Sequence, residues 1–176
     1  MSERTDEELM RLYVDGDHEA FRELWLRYHE ALERAVLRRV GNEDVARDIV
    51  QQGFLQFHRA RNDFRDGEKV RPWLYTIALN LSRDWGRKYG RRTFVAYEDR
   101  DFVEEPDDFV VRAEDVQRVR DALETLDEKH REVIELHWFE GLSFREIADI
   151  TGDGLSALKV RAHRTYEKLR KVLQDV

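Results

Sequence analysis

The densest cluster of cationic side chains in this chain lies near its C-terminal end. Residues 156–171 contain six Lys or Arg and a single acid, Glu167, which gives a local net charge of +5 in a chain whose net charge is −7. Such cations bind phosphate oxygens and guanine edges. The same side chains also suit an ordinary surface helix, because cations near a helix C-terminus complement the helix dipole. Charge alone therefore leaves open whether this stretch binds nucleic acid or is a solvated helix.

The spacing around this stretch has the proportions of a helix-turn-helix. In "LSFREIADITGDGLSALKVRAHR" the capping-box pair Ser143 and Glu146 opens a short helix, and Gly152 allows a tight turn. Ser156 then caps a longer helix, which Leu158 anchors to the core. Side chains opposite that anchor lie in the N-terminal half of the helix, the part that a recognition helix inserts into the major groove. The candidate reading residues are Lys159, Val160, His163 and Arg164, and the candidates for phosphate contact are Lys168, Arg170 and Lys171.

A second basic stretch, "SRDWGRKYGRR", carries a net charge of +4 and has Trp85 and Tyr89 between its cations. Aromatic rings among cations suit unpaired bases, because every base has a face on which a ring can stack while the cations hold the backbone. The pattern also fits a plain helix, and the nearby Trp73 and Tyr75 suit a protein core equally well. This stretch is therefore a second candidate for nucleic-acid contact, with the structural alternative still open.

Sequence motifs of enzymes and metal sites are incomplete or absent. "DITGDG" begins like a calcium-binding loop, but Val160 stands at the twelfth position, where a bidentate Glu is needed. The chain has no glycine-rich phosphate loop, no zinc-binding helix with two histidines and no cysteine, which excludes disulfides and thiolate metal sites. We therefore predict a protein that is not an enzyme and that uses no catalytic residue, metal or cofactor.

The elements that must position the basic stretches are predicted to be helices. Thr5 and Glu8 form a capping-box pattern, Gly41 ends a long helix with an apolar stripe, and Asn42 can cap the next helix. Pro72 suits the first position of a fourth helix. No alternating strand pattern competes, so the N-terminal part is predicted to be a four-helix unit.

Between the two basic stretches the sequence is acidic. Residues 96–112 hold seven acidic and two basic side chains with a proline and little periodicity, which predicts a linker, although the composition also suits a plain solvated spacer. We therefore predict an all-α protein with two small helical bundles, 1–95 and 113–176, joined by an acidic flexible linker, 96–112. The C-terminal bundle contains the helix-turn-helix.

The chain carries no sign of membrane insertion or export. No apolar run approaches the roughly 18 residues of a membrane span, and the first residues lack the apolar core of a signal peptide. The absence of cysteine fits a reducing compartment. We expect a cytoplasmic protein.

Four motifs, taken in order, resemble those of one protein family. "ARDIVQQGFLQFHRAR" is similar to the helix D-[LI]-V-Q-E-x-F, and "RPWLYTIALNLSRDWGRK" to P-W-L-x-x-I-A-x-N-x-x-x-D. "GLSFREIADITG" and "SALKVRAHRTYEKLR" are similar to G-x-S-x-x-E-I-A and V-K-S-R-x-H-R-A-x-x-x-L. The chain resembles a bacterial RNA polymerase sigma factor of the extracytoplasmic-function (ECF) group, which has sigma regions 2 and 4 only.

The resemblance implies a subunit that binds core RNA polymerase, through its clamp helices and flap, and directs transcription from particular promoters. It implies an anti-sigma factor as a further partner. The residues implied to contact the clamp are Asp48, Gln51, Gln52 and Phe54. Those implied to open and hold the −10 element, with a base flipped into a pocket near the loop 62–70, are Asn80, Arg83, Asp84, Arg87 and Lys88. Those implied to read the −35 element are Ser156, Lys159, Val160, His163 and Arg164.

Several positions depart from the family pattern. Gln52 stands where the family usually has Glu, and Gly53 where it has Thr or Val. Because a glycine within a helix costs about 1 kcal/mol relative to alanine, this pair is expected to weaken clamp binding. Leu79 replaces a frequent Arg, and Val160 replaces a frequent Ser and so offers a methyl contact in place of a hydrogen bond.

Two other classes of protein fit parts of the sequence. A free-standing helix-turn-helix regulator would bind duplex operator DNA alone, usually as a dimer on a symmetric site. The N-terminal motifs argue against it, since such a regulator has no use for a clamp-binding helix. A helical adaptor or enzyme that does not bind DNA is the third alternative.

Overall fold

The structure is a computed structural model that describes residues 4–65, 67–90 and 116–174, without the side chains of residues 116, 117 and 172–174. Over these ranges every regular element is helical, which confirms the predicted all-α fold. The α-helices are α1 (Asp6–Val14), α2 (His18–Val40), α3 (Glu43–Arg59), α4 (Val70–Tyr89), α5 (Val116–Glu124), α6 (Glu128–Ile134), α7 (Phe144–Thr151) and α8 (Leu155–Gln174). The chain divides into two compact units, which hold α1–α4 and α5–α8. The acidic linker predicted over residues 96–112 lies outside the described residues.

The helices of the first unit begin and end where local side chains satisfy free backbone groups. Thr5 accepts a hydrogen bond from the Glu8 amide at 3.2 Å, and its own amide donates to the Glu8 carboxylate at 2.8 Å. Gly41 ends α2 with a left-handed φ of 65°, and the Asn42 side chain caps α3 by accepting from the Val45 amide at 3.0 Å. These caps confirm the boundaries that the sequence predicts.

The start of α4 differs from the prediction. The helix begins at Val70, so Pro72 is its third residue and not its first. Proline is tolerated there because the amides of the first helical turn have no carbonyl partner within the helix. Val70 is fully buried, and this packing favours a helix start that the proline position alone does not reveal.

The core of the first unit lies between α2, α3 and α4, and α1 packs against α2 and α4. Its largest fully buried side chains are Leu9, Met10, Leu24, Leu32, Phe57, Leu74, Tyr75 and Leu79. Tyr75 is thus a core residue. Trp73 is half-buried, and its ring centroid lies 5.1 Å from that of Phe57 and 5.7 Å from that of Phe64. Trp73 and Tyr75 are therefore explained by packing within the first unit and not by nucleic-acid contact.

Gly53 faces α4 and does not belong to the outer surface of α3. A Cβ atom at this position would lie 3.8 Å from side-chain atoms of Ile77 and Leu81 and 3.9 Å from the Ala78 backbone. These are ordinary van der Waals separations, so an alanine would fit without moving its neighbours. The glycine therefore weakens the helix without serving a close approach of α3 and α4.

We expect Gly53→Ala to raise the free energy of unfolding of the first unit by about 1 kcal/mol, because alanine has the higher helix propensity and fills open contact space. Urea unfolding, followed through tryptophan fluorescence, measures the change. The matched control is Gly41→Ala, which places a side chain at a φ of 65° and should lower stability by about 1 kcal/mol or more. Destabilisation by Gly53→Ala would contradict the contact geometry.

In the second unit, α5, α6 and α7 each pack against α8, and α6 and α7 also contact the segment Glu135–Phe139. The side chains that form its core are Val119, Leu123, Leu126, Val133, Ile134, Leu136, Leu142, Ile147, Leu158, Ala162 and Leu169. After Ile134, α6 continues as a π-helical segment, Glu135–Phe139. Trp138 and Tyr166 are partly buried against this core.

The caps of the helix-turn-helix agree with the prediction at α7 and differ at α8. The Ser143 amide donates to the Glu146 carboxylate at 2.8 Å, and Ser143 Oγ accepts from the Glu146 amide at 3.2 Å. Gly152 ends α7 with a φ of 75°. The next helix begins at Leu155, so Ser156 lies within its first turn and is not its cap. The exposed Ser156 side chain is thereby released for other contacts.

Arg131, a residue of α6, caps the C-terminal end of α5, and the sequence does not predict this contact. Its guanidinium donates to the carbonyls of Leu123, Glu124 and Leu126 at 3.0, 2.9 and 3.0 Å. The last carbonyls of a helix have no partner within it. One cation from α6 therefore satisfies three carbonyl groups and fixes the turn between α5 and α6.

Candidate nucleic-acid interface

The five residues expected to read the −35 element lie together on α8. Their side chains are all exposed: Ser156, Lys159, Val160, His163 and Arg164. The opposite side of the same helix is buried, with Leu158, Ala162 and Thr165 at 0, 2 and 0% exposure. Because the buried positions recur every three or four residues, the helix presents its N-terminal half outward as one face. This face has the geometry required of a recognition helix.

A cleft beside this face brings in a residue that the sequence analysis did not identify. It has a volume of about 410 Å³ and is lined by His130, Ser156, Ala157, Val160, Arg161 and Arg164. His130 Nδ1 lies 2.6 Å from the carboxylate of Asp127, the residue that caps α6. This hydrogen bond holds the pKa of Asp127 below its usual range. The first turn of α6 therefore forms a second wall next to the reading face.

Arg161, one of the six cations of the basic stretch, is turned inward. Its Nη1 donates to Asp153 Oδ2 at 2.5 Å, and its side chain is 18% exposed. The Arg161 hydrogen bond holds the pKa of Asp153 below its ordinary value of 3.8. The pair ties the turn before α8 to the second turn of that helix, so Arg161 positions the reading face and does not belong to it.

We expect Asp153→Asn to destabilise the second unit by about 1 kcal/mol at neutral pH, because a charge-assisted hydrogen bond is replaced by a weaker one. Native-state hydrogen exchange of the α8 amides measures the loss for this unit separately. Asp149→Asn, at an exposed position of α7, is the matched control and should change little.

The same pair predicts a dependence on pH. Since the folded-state pKa of Asp153 is depressed, its stabilisation is present above the ordinary value of 3.8 and is lost as the pH falls through the lower folded value. The stability difference between parent and Asp153→Asn should therefore close under acid conditions. A difference that stays constant down to the lowest pH at which the unit folds would contradict the ion pair.

The residues expected to contact the −10 element form a polar face at the C-terminal half of α4. Asn80, Asp84, Arg87 and Lys88 are exposed, and Arg83 is half-buried. Arg83 donates to Asn80 Oδ1 at 2.8 Å, and Arg87 pairs with Asp84. These contacts place the cations beside Asn80 and Asp84.

Aromatic rings extend this face toward the end of α4. Tyr89 is 62% exposed, its ring centroid lies 5.5 Å from that of Trp85, and Lys88 Nζ lies 5.1 Å from the Tyr89 ring. An exposed ring next to a cation is the arrangement that stacks on unpaired bases. Arg91 and Arg92, which complete the basic stretch in the sequence, lie outside the described residues.

The surface of α3 requires one correction to the predicted polymerase contacts. Asp48, Gln51 and Gln52 are exposed. Phe54 is only 3% exposed, with its ring centroid 4.5 Å from that of Trp25, so it belongs to the core and offers no contact surface. Leu55, the next residue, is 46% exposed. The apolar member of the outer face of α3 is therefore Leu55.

Among the described residues there is neither a metal-binding cluster nor a helix that could span a membrane. Within residues 4–65, 67–90 and 116–174, no three His, Asp or Glu side chains are grouped so as to hold a metal ion. None of the helices in those ranges combines the length and the apolar character needed to span a bilayer.

Comparison with known proteins gives a consistent family. Residues 24–92 match the family described as Sigma-70 region 2, and residues 122–171 match Sigma-70, region 4. The RNA polymerase sigma factor CarQ of Myxococcus xanthus is 36% identical over 95% of this chain and 97% of its own. The ECF RNA polymerase sigma-E factor of Escherichia coli K12 is 32% identical over 100% of this chain and 98% of its own.

A solved structure supports the same assignment. The sigma factor RpoE of Bartonella quintana, in complex with the anti-sigma factor NepR, superposes with a TM-score of 0.65 at 25% identity, over 88% of this chain and 97% of that one. The two matched regions include α3, α4, α7 and most of α8, the helices that carry the three faces described above. The chain therefore belongs to the ECF group of bacterial RNA polymerase sigma factors, which direct transcription initiation, and is not a free-standing regulator.

Proposed function

We propose that this sigma factor binds core RNA polymerase through the outer face of α3, melts the −10 element with α4 and reads the −35 element with α8. The observation that carries the proposal is the division of α8 into a buried side and an exposed side. All five predicted reading residues lie on the exposed side, while Leu158, Ala162 and Thr165 hold the other side in the core.

The −35 contacts follow from the chemistry of the exposed face. Arg164 and Lys159 can donate to guanine edges or phosphates, and Val160 offers a methyl contact to thymine. Val160 is half exposed, at 50%, and lines the cleft together with Arg164. We propose that His130 closes this cleft on the side of α6 and contributes a polar contact to the same stretch of DNA.

The −10 contacts use binding energy and no covalent chemistry. Stacking of an unpaired base on an aromatic ring contributes about 1–3 kcal/mol, and capture of several bases shifts the equilibrium toward the melted strand. The exposed ring of Tyr89 supplies a stacking surface, the polar side chains of Asn80 and Asp84 can form hydrogen bonds with base edges, and Arg87 and Lys88 supply charge for phosphates. Sigma factors are not known as a family of enzymes, and we propose that this chain catalyses no reaction.

The polymerase would supply most of the hold on DNA. The chain has a net charge of −7, which by itself repels a phosphate backbone. We propose that α3 contacts the clamp helices through Asp48, Gln51, Gln52 and Leu55, and that the second unit contacts the flap. Units 1–95 and 113–176 would then bind two sites on the enzyme, with residues 96–112 as the acidic linker between them.

A protein regulator is the remaining proposed partner. RpoE, which this chain resembles over most of its length, was solved with an anti-sigma factor. We propose that this sigma factor is also held inactive by an anti-sigma factor and that it acts in the cytoplasm, where polymerase and promoter DNA meet.

Co-elution with purified core RNA polymerase tests the proposal at its first step. The full chain and the core enzyme are expected to elute together in gel filtration at physiological salt. The complex should retain a labelled promoter fragment that the free chain does not retain. Separate elution of chain and core enzyme would contradict the proposed function.

A further inference from the structure

Helix α1 lies against both ends of the connection between α3 and α4. It falls outside residues 24–92, the part matched to sigma region 2, so that match assigns it no role. It is nevertheless firmly packed, since Leu9 and Met10 are fully buried and Tyr13 is 2% exposed. Its position raises the question of what it does for the connection.

At the α3 end, α1 holds the chain through a buried tyrosine. The Tyr13 hydroxyl is hydrogen-bonded to His58 Nδ1, on the last turn of α3. Arg61 lies just beyond, with its guanidinium carbon 6.0 Å from the centre of the Tyr13 ring and Nη1 donating to the His58 carbonyl at 2.8 Å. Burial raises the pKa of Tyr13, so the hydroxyl stays protonated and is available as a donor. Tyr13 thus contacts the point at which the chain leaves α3.

At the α4 end, the contact is an ion pair. Lys69, the residue before α4, places Nζ 3.7 Å from Glu7 Oε1. Lys69 is exposed, so this pair is weaker than the buried contact at Tyr13. It nevertheless directs the second end of the connection to the same helix.

Helix α1 is itself fixed to α2. Asp6 Oδ1 accepts a hydrogen bond from Arg27 Nη1 at 2.8 Å, and Asp6 Oδ2 accepts one from the Tyr28 hydroxyl. The two bonds hold the N-terminal end of α1, while Leu9 and Met10 hold its middle. Through α1, both ends of the connection are therefore linked to the core of the first unit.

Between its ends, the connection carries an aromatic stack. Phe64 lies 5.7 Å from Trp73 with an interplanar angle of 26°, and Trp73 in turn lies 5.1 Å from Phe57. Only Phe64 belongs to the connection itself, three residues after Arg61, and the Phe57 ring of α3 lies 6.3 Å from the Tyr13 ring. A small displacement at Tyr13 would therefore move the stack, which joins Phe57 of α3 and Phe64 of the connection to Trp73 of α4, the helix that carries the proposed −10 contacts.

We propose that α1 is a brace that sets the conformation of the α3–α4 connection for capture of an unpaired promoter base, with Tyr13 and His58 as positioning residues. This inference rests on the proposed function, since it assigns the connection to the −10 step. Neither residue is proposed to contact DNA. Their effect passes through the backbone at residues 58–61.

The test uses Tyr13→Phe in the full chain, because this change removes only the hydroxyl. Loss of one hydrogen bond should speed amide exchange over residues 61–65 by about three- to tenfold, and exchange in α5–α8 should not change. The matched control is Tyr28→Phe, which removes a hydroxyl bond from the same helix and leaves the Arg27 bond to Asp6. It should speed exchange over residues 61–65 less than Tyr13→Phe does, because the Arg27 bond and the buried Leu9 and Met10 still fix α1.

The second readout is promoter melting by the holoenzyme, measured as permanganate reactivity of thymines on a promoter mapped from transcript 5′ ends. Tyr13→Phe should reduce this reactivity about three- to tenfold, while affinity for the −35 duplex stays constant. The double variant Tyr13→Phe, His58→Leu should lose no more than the larger single effect, because the two residues act as a pair.

Three results would overturn part of this account, and they are distinguishable. Unchanged exchange over residues 61–65 would refute the brace. Faster exchange with unchanged thymine reactivity would refute its role in base capture and leave Tyr13 purely structural. A wild-type holoenzyme that melts no promoter would instead refute the proposed function and, with it, the purpose assigned to α1.

Discussion

Phe54→Ala is expected to lower the free energy of unfolding of the first unit by about 3–5 kcal/mol, the cost of removing a buried aromatic side chain. Phe54 is 3% exposed, and its ring contacts those of Trp25, Phe21 and Phe57 at centroid distances of 4.5, 6.1 and 6.4 Å. A cavity at this position would be lined by rigid rings, which close it poorly. Urea unfolding followed by tryptophan fluorescence measures the loss, since Trp25 is itself a neighbour.

Leu55→Ala is the matched control and separates the core from the outer face of α3. With 46% of its surface exposed, Leu55 should contribute little to stability, and the change is expected to stay near 0.5 kcal/mol. Affinity for core polymerase should fall about tenfold if Leu55 is the apolar centre of the contact. A stable Phe54→Ala variant that no longer binds polymerase would restore Phe54 to the contact surface, and unchanged binding by Leu55→Ala would remove Leu55 from it.

Arg164→Ala is expected to weaken binding to the cognate −35 duplex by about 1–3 kcal/mol, or roughly 5- to 150-fold, and to relax discrimination at one base position. The side chain is exposed on the reading face and borders the cleft that contains Val160 and His130. Fluorescence anisotropy with holoenzyme and a set of single-base −35 variants measures both effects.

Lys171→Ala is the control for Arg164→Ala, because Lys171 lies on the same helix but near its C-terminal end. It should weaken binding to all sequences alike and lower the slope of log K against log salt by about one unit. Both variants must be compared at the same salt concentrations. Equal losses on every sequence from both changes would show that α8 is held by charge alone and does not read bases.

Local signals made much of the fold predictable. Caps depend on residues within one turn of the helix end, so Thr5, Asn42 and Ser143 could be assigned from sequence and are confirmed. The exposed face of α8 was equally predictable from the sequence, since Leu158 and Ala162 define its inward side through the 3.6-residue period. The assignment of these faces to polymerase and promoter came from the family motifs.

What the sequence could not predict depends on contacts between distant residues. Phe54 and Leu55 are adjacent on α3, and the family motif places Phe54 on the contact side and does not include Leu55. Only the packing of Trp25 shows which one is buried. Arg161 looks like any other cation of the basic stretch until Asp153 is seen 2.5 Å away.

Longer-range pairs follow the same rule. Arg131 caps carbonyls up to eight residues earlier, and Tyr13 meets His58 across 45 positions. Neither pair leaves a periodic signal in the sequence. The contribution of His130 to the cleft is also a property of the folded second unit, because it arises only when α6 packs beside α8.

The central claim is that this chain directs core RNA polymerase to its promoters. The most direct test is run-off transcription with purified core enzyme on a promoter mapped from transcripts that rise when the chain is overproduced. A run-off product is expected only when the chain is added, with little product after scrambling either the −35 or the −10 element. Equal transcription without the chain, or transcription that ignores both elements, would contradict the account.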